Sequence, residues 1–145
     1  MRVATFNVMN YLAMDRHLEG HFRPNYPKPE REKDAVRAVI REVAPDVLLL
    51  QEMGPAPYLE ELRQDLAREG CVYEHSYVLE AAESERHVAV LSRLPLARIT
   101  PHAEIAFTYF GEKELVKRGL LELTFDSPTG EWTVFAVHLK SRYTD

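Results

Sequence analysis

Cysteine is almost missing from this chain. Cys71 is the only one, which excludes an intramolecular disulfide and any cysteine-built metal cluster. Glycine is also scarce, with 6 in 145 residues. None of them builds a glycine-rich phosphate loop, and no nucleophile-elbow serine is present, so nucleotide-loop and serine-hydrolase chemistry find no footing. No apolar run approaches the length of a membrane span. There is no internal repeat and no low-complexity tract. A basic surplus is lacking too: the net charge is -5 and the pI near 5.7, so the surface as a whole does not attract polyanions indiscriminately. The N-terminus has no basic-then-apolar leader. A cytoplasmic protein is the default expectation, although a secreted one trimmed of its leader reads the same.

What is present is enough for a packed core. Hydrophobic residues make up 46% and charged residues 28%, ordinary values for one globular domain or part of one. Residues 2–9 alternate as a strand, with Val3, Thr5 and Asn7 on one face and Ala4, Phe6 and Val8 on the other. Both faces are mainly apolar, so the strand is expected to be internal. Residues 10–29, with Gly20, Pro24, Pro27 and Pro29, read as a long loop. From Glu30 to Ala44, Val36, Val39, Ile40 and Val43 fall at helical spacing. Lys33, Arg37 and Arg41 are placed on the wet face with the acidic residues, and Pro45 ends the helix. Val47–Leu50 is a fully buried strand. Strand, helix and strand at this spacing predict a right-handed crossover and two parallel strands.

A second amphipathic helix runs from Tyr58 to Arg68 on Leu59, Leu62 and Leu66, closed by Gly70. Val72–Leu79 and His87–Ser92 are expected to pair antiparallel across the acidic connection Glu80–Glu85. Residues 95–107 are weakly extended and 111–113 form a turn. Residues 119–125 and 132–139 form a hairpin across Ser127-Pro128-Thr129-Gly130. The fold class is α/β: a mixed sheet with helices on one face.

Three apolar runs each deliver a polar group at their C-terminal end: Asn7, Glu52 and His138. Sites in open sheets gather beyond such ends. Glu52 shares a strand face with Leu48 and Leu50, and its carboxylate suits a hard divalent cation. Asn7 stands next door on a parallel strand, as a metal ligand or phosphate contact. His138, followed by Lys140, Ser141 and Arg142, can hold a phosphoryl oxygen or protonate a leaving one. His17 and His21 are spaced as helical metal ligands, but Gly20 and the prolines argue against a helix there.

Four segments occur in order: Ala4-Thr5-Phe6-Asn7-Val8, Pro45-Asp46-Val47-Leu48-Leu49-Leu50-Gln51-Glu52, Val88-Ala89-Val90-Leu91-Ser92-Arg93-Leu94-Pro95 and Val137-His138-Leu139-Lys140-Ser141. With them the chain resembles the endonuclease/exonuclease/phosphatase superfamily. The resemblance implies half of a four-layer α/β/β/α sandwich and a metal-dependent phosphoesterase using Mg2+, or Mn2+ in its place. It implies that Glu52 and Asn7 hold the metal and that His138 and Asn7 serve catalysis. It further implies that Glu85 orients His138, and that Arg118 and, after His138, Lys140 meet the substrate phosphate. The substrate stays open between nucleic acid, a phospholipid headgroup and a small phosphoester. The family continues into a Gly-Asp-x-Asn segment and a closing Asp-His pair that these residues do not contain. Residues 1–145 are therefore expected to be the N-terminal part of one domain, crippled alone. A bare apolar sheet face is expected to seek a second copy or a separate C-terminal half. The alternative is a non-catalytic folding or dimerisation module that retains an incomplete site.

Overall fold

The structure, a computed structural model, describes residues 1–140. Strand β1 (Val3–Tyr11) leads into a hairpin of β2 (Met14–Leu18) and β3 (His21–Tyr26), then helix α1 (Glu30–Val43), β4 (Val47–Met53) and α2 (Ala56–Arg68). Strands β5 (His75–Leu79), β6 (His87–Ser92) and β7 (Arg98–His102) follow. A second hairpin joins β8 (Ala106–Tyr109) to β9 (Glu112–Leu115), and a third joins β10 (Leu120–Phe125) to β11 (Trp132–Val137).

Two sheets face each other. The first has the order β1-β4-β6-β5 and the second β11-β10-β7. Strands β1 and β4 are parallel and β5 and β6 antiparallel, as the sequence predicts. Alternation along β4 divides the core. Leu48 and Leu50 pack under the helices with Val36, Ile40, Leu59, Leu62 and Leu66. Val47 and Leu49 pack with Leu121, Leu123 and Phe125 of β10. Each fully buried leucine in these layers contributes about 1.5–3 kcal/mol.

Several expectations need correction. Strand β1 is an edge of its sheet among the described residues, not internal; Val3 is 42% exposed because the second sheet does not extend over it. The inner sheet is not bare on its second face, since β7, β10 and β11 cover it. Apolar surface is left open on the outward side of β11, at Phe135 and Val137, on Leu139, and on the β8–β9 hairpin at Phe107, Tyr109 and Phe110. Lys33 and Arg37 are buried rather than wet. They share the α1 stripe with Val36 and Ile40, and they meet Glu61, Asp65 and Glu69 of α2 and its end. Val39 and Val43 take the exposed side instead.

Residues 10–29 are not one loop: β1 runs on to Tyr11, and residues 14–26 form the β2–β3 hairpin. Pro24 and Asn25 oppose the single residue Asp15, because the pairing steps from Arg16↔Arg23 to Met14↔Tyr26. A bulge is where a strand tolerates a proline. Asn25 takes φ 46° there and donates its N–H to Asp15 Oδ1 at 2.9 Å. Residues 106–109 and 112–115 likewise form a hairpin, with the turn at Phe110-Gly111.

Candidate active site

Glu52 is set by a break in pairing on both sides of β4. Against β6 the register jumps from Leu50↔Ala89 to Met53↔His87, so Gln51 and Glu52 oppose Val88 alone. Against β1 it jumps from Asn7↔Gln51 to Tyr11↔Met53, so Val8, Met9 and Asn10 oppose Glu52 alone. Three non-glycine residues adopt left-handed backbone at this corner: Met9 (φ 51°), Asn10 (φ 57°) and Glu52 (φ 59°). Such geometry is uncommon and clusters at sites. Its effect is to re-aim a side chain. Glu52 does not follow Leu48 and Leu50 into the helix layer; its carboxylate turns to Asn7, Asn10 and His138.

The contacts close into a ring. Glu52 Oε1 accepts from Asn7 Nδ2 at 3.1 Å, and Oε2 accepts from the Asn10 N–H at 3.1 Å. Asn10 Oδ1 accepts from Arg86 Nε at 2.6 Å. Arg86 Nη1 lies 3.4 Å from Glu83 Oε1, and Glu83 Oε2 accepts from Arg118 Nε at 2.8 Å. Arg118 Nη1 lies 3.0 Å from His138 Nδ1 and 3.2 Å from Nε2. His138 Nε2 returns to Glu52 Oε1 at 3.7 Å. The corner is fastened from below. Lys28 Nζ donates to Met9 O at 2.9 Å, and Arg16 Nη2 donates to Asn10 O at 2.8 Å.

The electrostatics favour a neutral imidazole. Burial pushes the His138 pKa below its ordinary value and the Arg118 cation pushes the same way, against the opposing pull of Glu52 and Glu83. A neutral ring offers a lone pair to the Arg118 N–H; a protonated one would face a cation with nothing to accept. Burial acts to raise the Glu83 carboxyl, but hydrogen bonds and charge from Arg118 and Arg86 outweigh it and hold the group below its usual range.

The structure thus brings together Asn7, Glu52, Arg118 and His138. It does not bring Glu85 to His138. Glu85 is 64% exposed and touches Arg86, whereas Glu83, at 17%, holds Arg118. The physical reason is the turn of the β5–β6 connection, where the Glu83 N–H donates to Lys117 O at 2.7 Å and so faces the segment carrying Arg118. Lys140 is exposed beyond β11; Ser141 and Arg142 lie outside the described residues. Sequence reading missed Asn10, Glu83 and Arg86. The Asn7-x-x-Asn10 spacing was the one available signal, and it acquires meaning only through the bulge.

The donor set suits a hard cation. Glu52 offers carboxylate oxygen; Asn7 turns its amide nitrogen to Glu52 and its oxygen to the Met9 N–H, so it would supply oxygen to a cation only with its amide reversed. Among the described residues no three acidic, histidine or cysteine side chains gather to hold a metal by themselves. Proteins in general hold magnesium by one or two carboxylates, with water and phosphate oxygen completing its shell.

The sequence pattern of the Endonuclease/Exonuclease/phosphatase family matches residues 4–134. The chain belongs to this family. Members are hydrolases of phosphoesters in general. No curated protein matches the chain. Among solved structures, an endonuclease/exonuclease/phosphatase family protein from Leptotrichia buccalis C-1013-b shares the fold with a TM-score of 0.62 at 17% identity. The match covers 97% of this chain and 54% of that one, so the chain spans about half the length of that relative. The family's fold is the α/β arrangement described above. No helix of the described residues is long and apolar enough to cross a membrane.

Proposed function

We propose that residues 1–145 are the N-terminal part of a magnesium-dependent phosphoesterase domain, with manganese able to substitute. The observation that carries this reading is the double register break at Glu52, which turns a carboxylate out of hydrocarbon and into a ring with His138 and Arg118. In phosphoester hydrolysis the oxygen of water adds to phosphorus in line with the leaving oxygen, whose bond to phosphorus breaks and which takes up a proton. A bound divalent cation neutralises charge that builds on the phosphoryl oxygens. Glu52 and Asn7 would hold that cation. Arg118 turns a guanidinium toward the same space; with Nε on Glu83 and Nη1 on His138, Nη2 is the donor that would meet a phosphoryl oxygen. His138, neutral beside Arg118, receives or returns a proton through whichever ring nitrogen is free. Glu83 holds Arg118 in place, and through it the ring.

The experiment is direct. In the intact enzyme Glu52→Ala should reduce magnesium-dependent hydrolysis of a generic phosphodiester to background. Full activity in that variant refutes the role of Glu52.

Edges at β1 and β11, with Phe135, Val137 and Leu139 exposed, favour a partner for this piece. The remainder of a family domain is the occupant proposed here, because the solved relative is matched over 54% of its length. Mixing the chain with that remainder should restore hydrolysis. A dimer by light scattering that gains nothing from the remainder supports the other reading, a non-catalytic assembly module that keeps an incomplete site.

A further inference from the structure

The geometry points to Arg86 as a positioning residue that fixes the aim of the Glu52 carboxylate by holding Asn10 in its left-handed conformation. This rests on the reading of Glu52 as a metal ligand. Glu52 Oε2 depends on a single backbone donor, the Asn10 N–H at 3.1 Å. That N–H points inward because Asn10 sits at φ 57°. Asn10 has its carbonyl oxygen tied to Arg16 at 2.8 Å and its side-chain oxygen tied to Arg86 Nε at 2.6 Å. The Arg86 bond reaches across from the residue before β6 and is the shorter of the two.

Arg86 is itself braced on two sides. Its Nη1 lies 3.2 Å from Glu85 and 3.4 Å from Glu83. The next residue, His87, is 4% exposed, with its ring nitrogens 3.2 Å from the carbonyl oxygens of Leu79 and Ser84. His87 also pairs with Met53, the residue after Glu52. The backbone that launches Arg86 is therefore locked to the backbone that carries the carboxylate. Nε of Arg86 is taken by Asn10 and Nη1 by Glu83 and Glu85, so these two nitrogens position protein groups. The rigid fork matters: Nε and Nη1 point to different partners at fixed spacing, which the single ammonium of lysine cannot reproduce.

Mn2+ alone, titrated calorimetrically into the full chain, is the probe. Partners that orient a metal ligand typically contribute about 10–100-fold to affinity. Arg86→Lys and Arg86→Gln are each expected to weaken Mn2+ by about tenfold, and Asn10→Ala to do the same. The double variant R86K/N10A should be no worse than either single one, since both break one link. In the metal-free chain the Asn10 amide should exchange its hydrogen faster in R86K than in the native protein.

A charge-only role predicts instead that lysine restores native affinity; that result overturns the proposal. Losses that add in R86K/N10A overturn it as well. Glu52→Ala separates the two layers of inference. If it abolishes Mn2+ binding while R86K binds like the native chain, the metal reading stands and the Arg86 role falls. If it leaves binding unchanged, the metal reading falls and takes this proposal with it. Should Arg86→Gln unfold the chain, R86K and Asn10→Ala still decide.

Discussion

Removing the charge of Glu83 is the sharpest single test of the ring. The carboxylate spans two guanidiniums, Arg118 at 2.8 Å and Arg86 at 3.4 Å, and is only 17% exposed. In Glu83→Gln the shape and one acceptor remain, but two part-buried cations lose their shared counter-charge. Hydrogen bonds to charged groups are worth about 1.5–3 kcal/mol each. The longer Arg86 contact and the surviving amide acceptor reduce the sum, leaving a loss of about 2 kcal/mol. With a urea dependence of about 2 kcal/mol per molar, the midpoint should fall by about 1 M at pH 7.

The pH dependence follows from the depressed Glu83 carboxyl. Its stabilisation is fully present above the unfolded value near 4.5 and is lost as pH falls through the lower folded value. The gap between native protein and variant should therefore close on acidification. Glu85→Gln, altering a 64% exposed side chain, should change stability by less than about 0.5 kcal/mol. Equal midpoints for Glu83→Gln and native protein at pH 7 would refute the reasoning, as would a gap that persists unchanged in acid.

Two further outcomes test the surroundings. The His138 ring, followed by NMR, should titrate below the ordinary value of 6.5, and Arg118→Gln should move it upward by removing a cation. Its contribution to stability is full above pH 6.5 and declines as pH falls through the folded value, because the unfolded ring binds its proton first. Gly119→Ala should cost more than the roughly 1–2 kcal/mol of a left-handed alanine, because the backbone there has φ +63° and a new Cβ would stand 2.7 Å from the His102 carbonyl oxygen. Urea unfolding measures it, and a loss near zero would refute the close approach of Gly119 to the His102 carbonyl.

Much of the scaffold was legible. Val47–Leu50 reads as a core strand because both its faces meet apolar layers, and Ser127 and Gly130 do close the turn, exchanging N–H to carbonyl bonds of 3.2 and 3.0 Å. Lys33 and Arg37 were misplaced because periodicity sorts charge to water, whereas here α2 supplies the acids that let cations go under. The β2–β3 hairpin was hidden because Pro24 ordinarily argues against a strand, and only the bulge opposite Asp15 removes the objection. Asn7, Glu52 and His138 stand together, but Asn7 lies inside β1 (Val3–Tyr11) and not at its end as the sequence suggests. Glu83 and Glu85 were not separable, since two carboxylates in one loop differ only in how that loop turns. The aim of Glu52 was not readable from alternation at all, because a bulge suspends the alternation.

The backbone at Met9, Asn10 and Glu52 trades ease for direction. Straight pairing there would need two residues fewer in β1 and one fewer in β4, and would relax three uncomfortable dihedrals at once. Losing Gln51 would also swing the acid to the side of Leu49, against the oily layer shared with β10. Comfort and aim exclude each other at this corner.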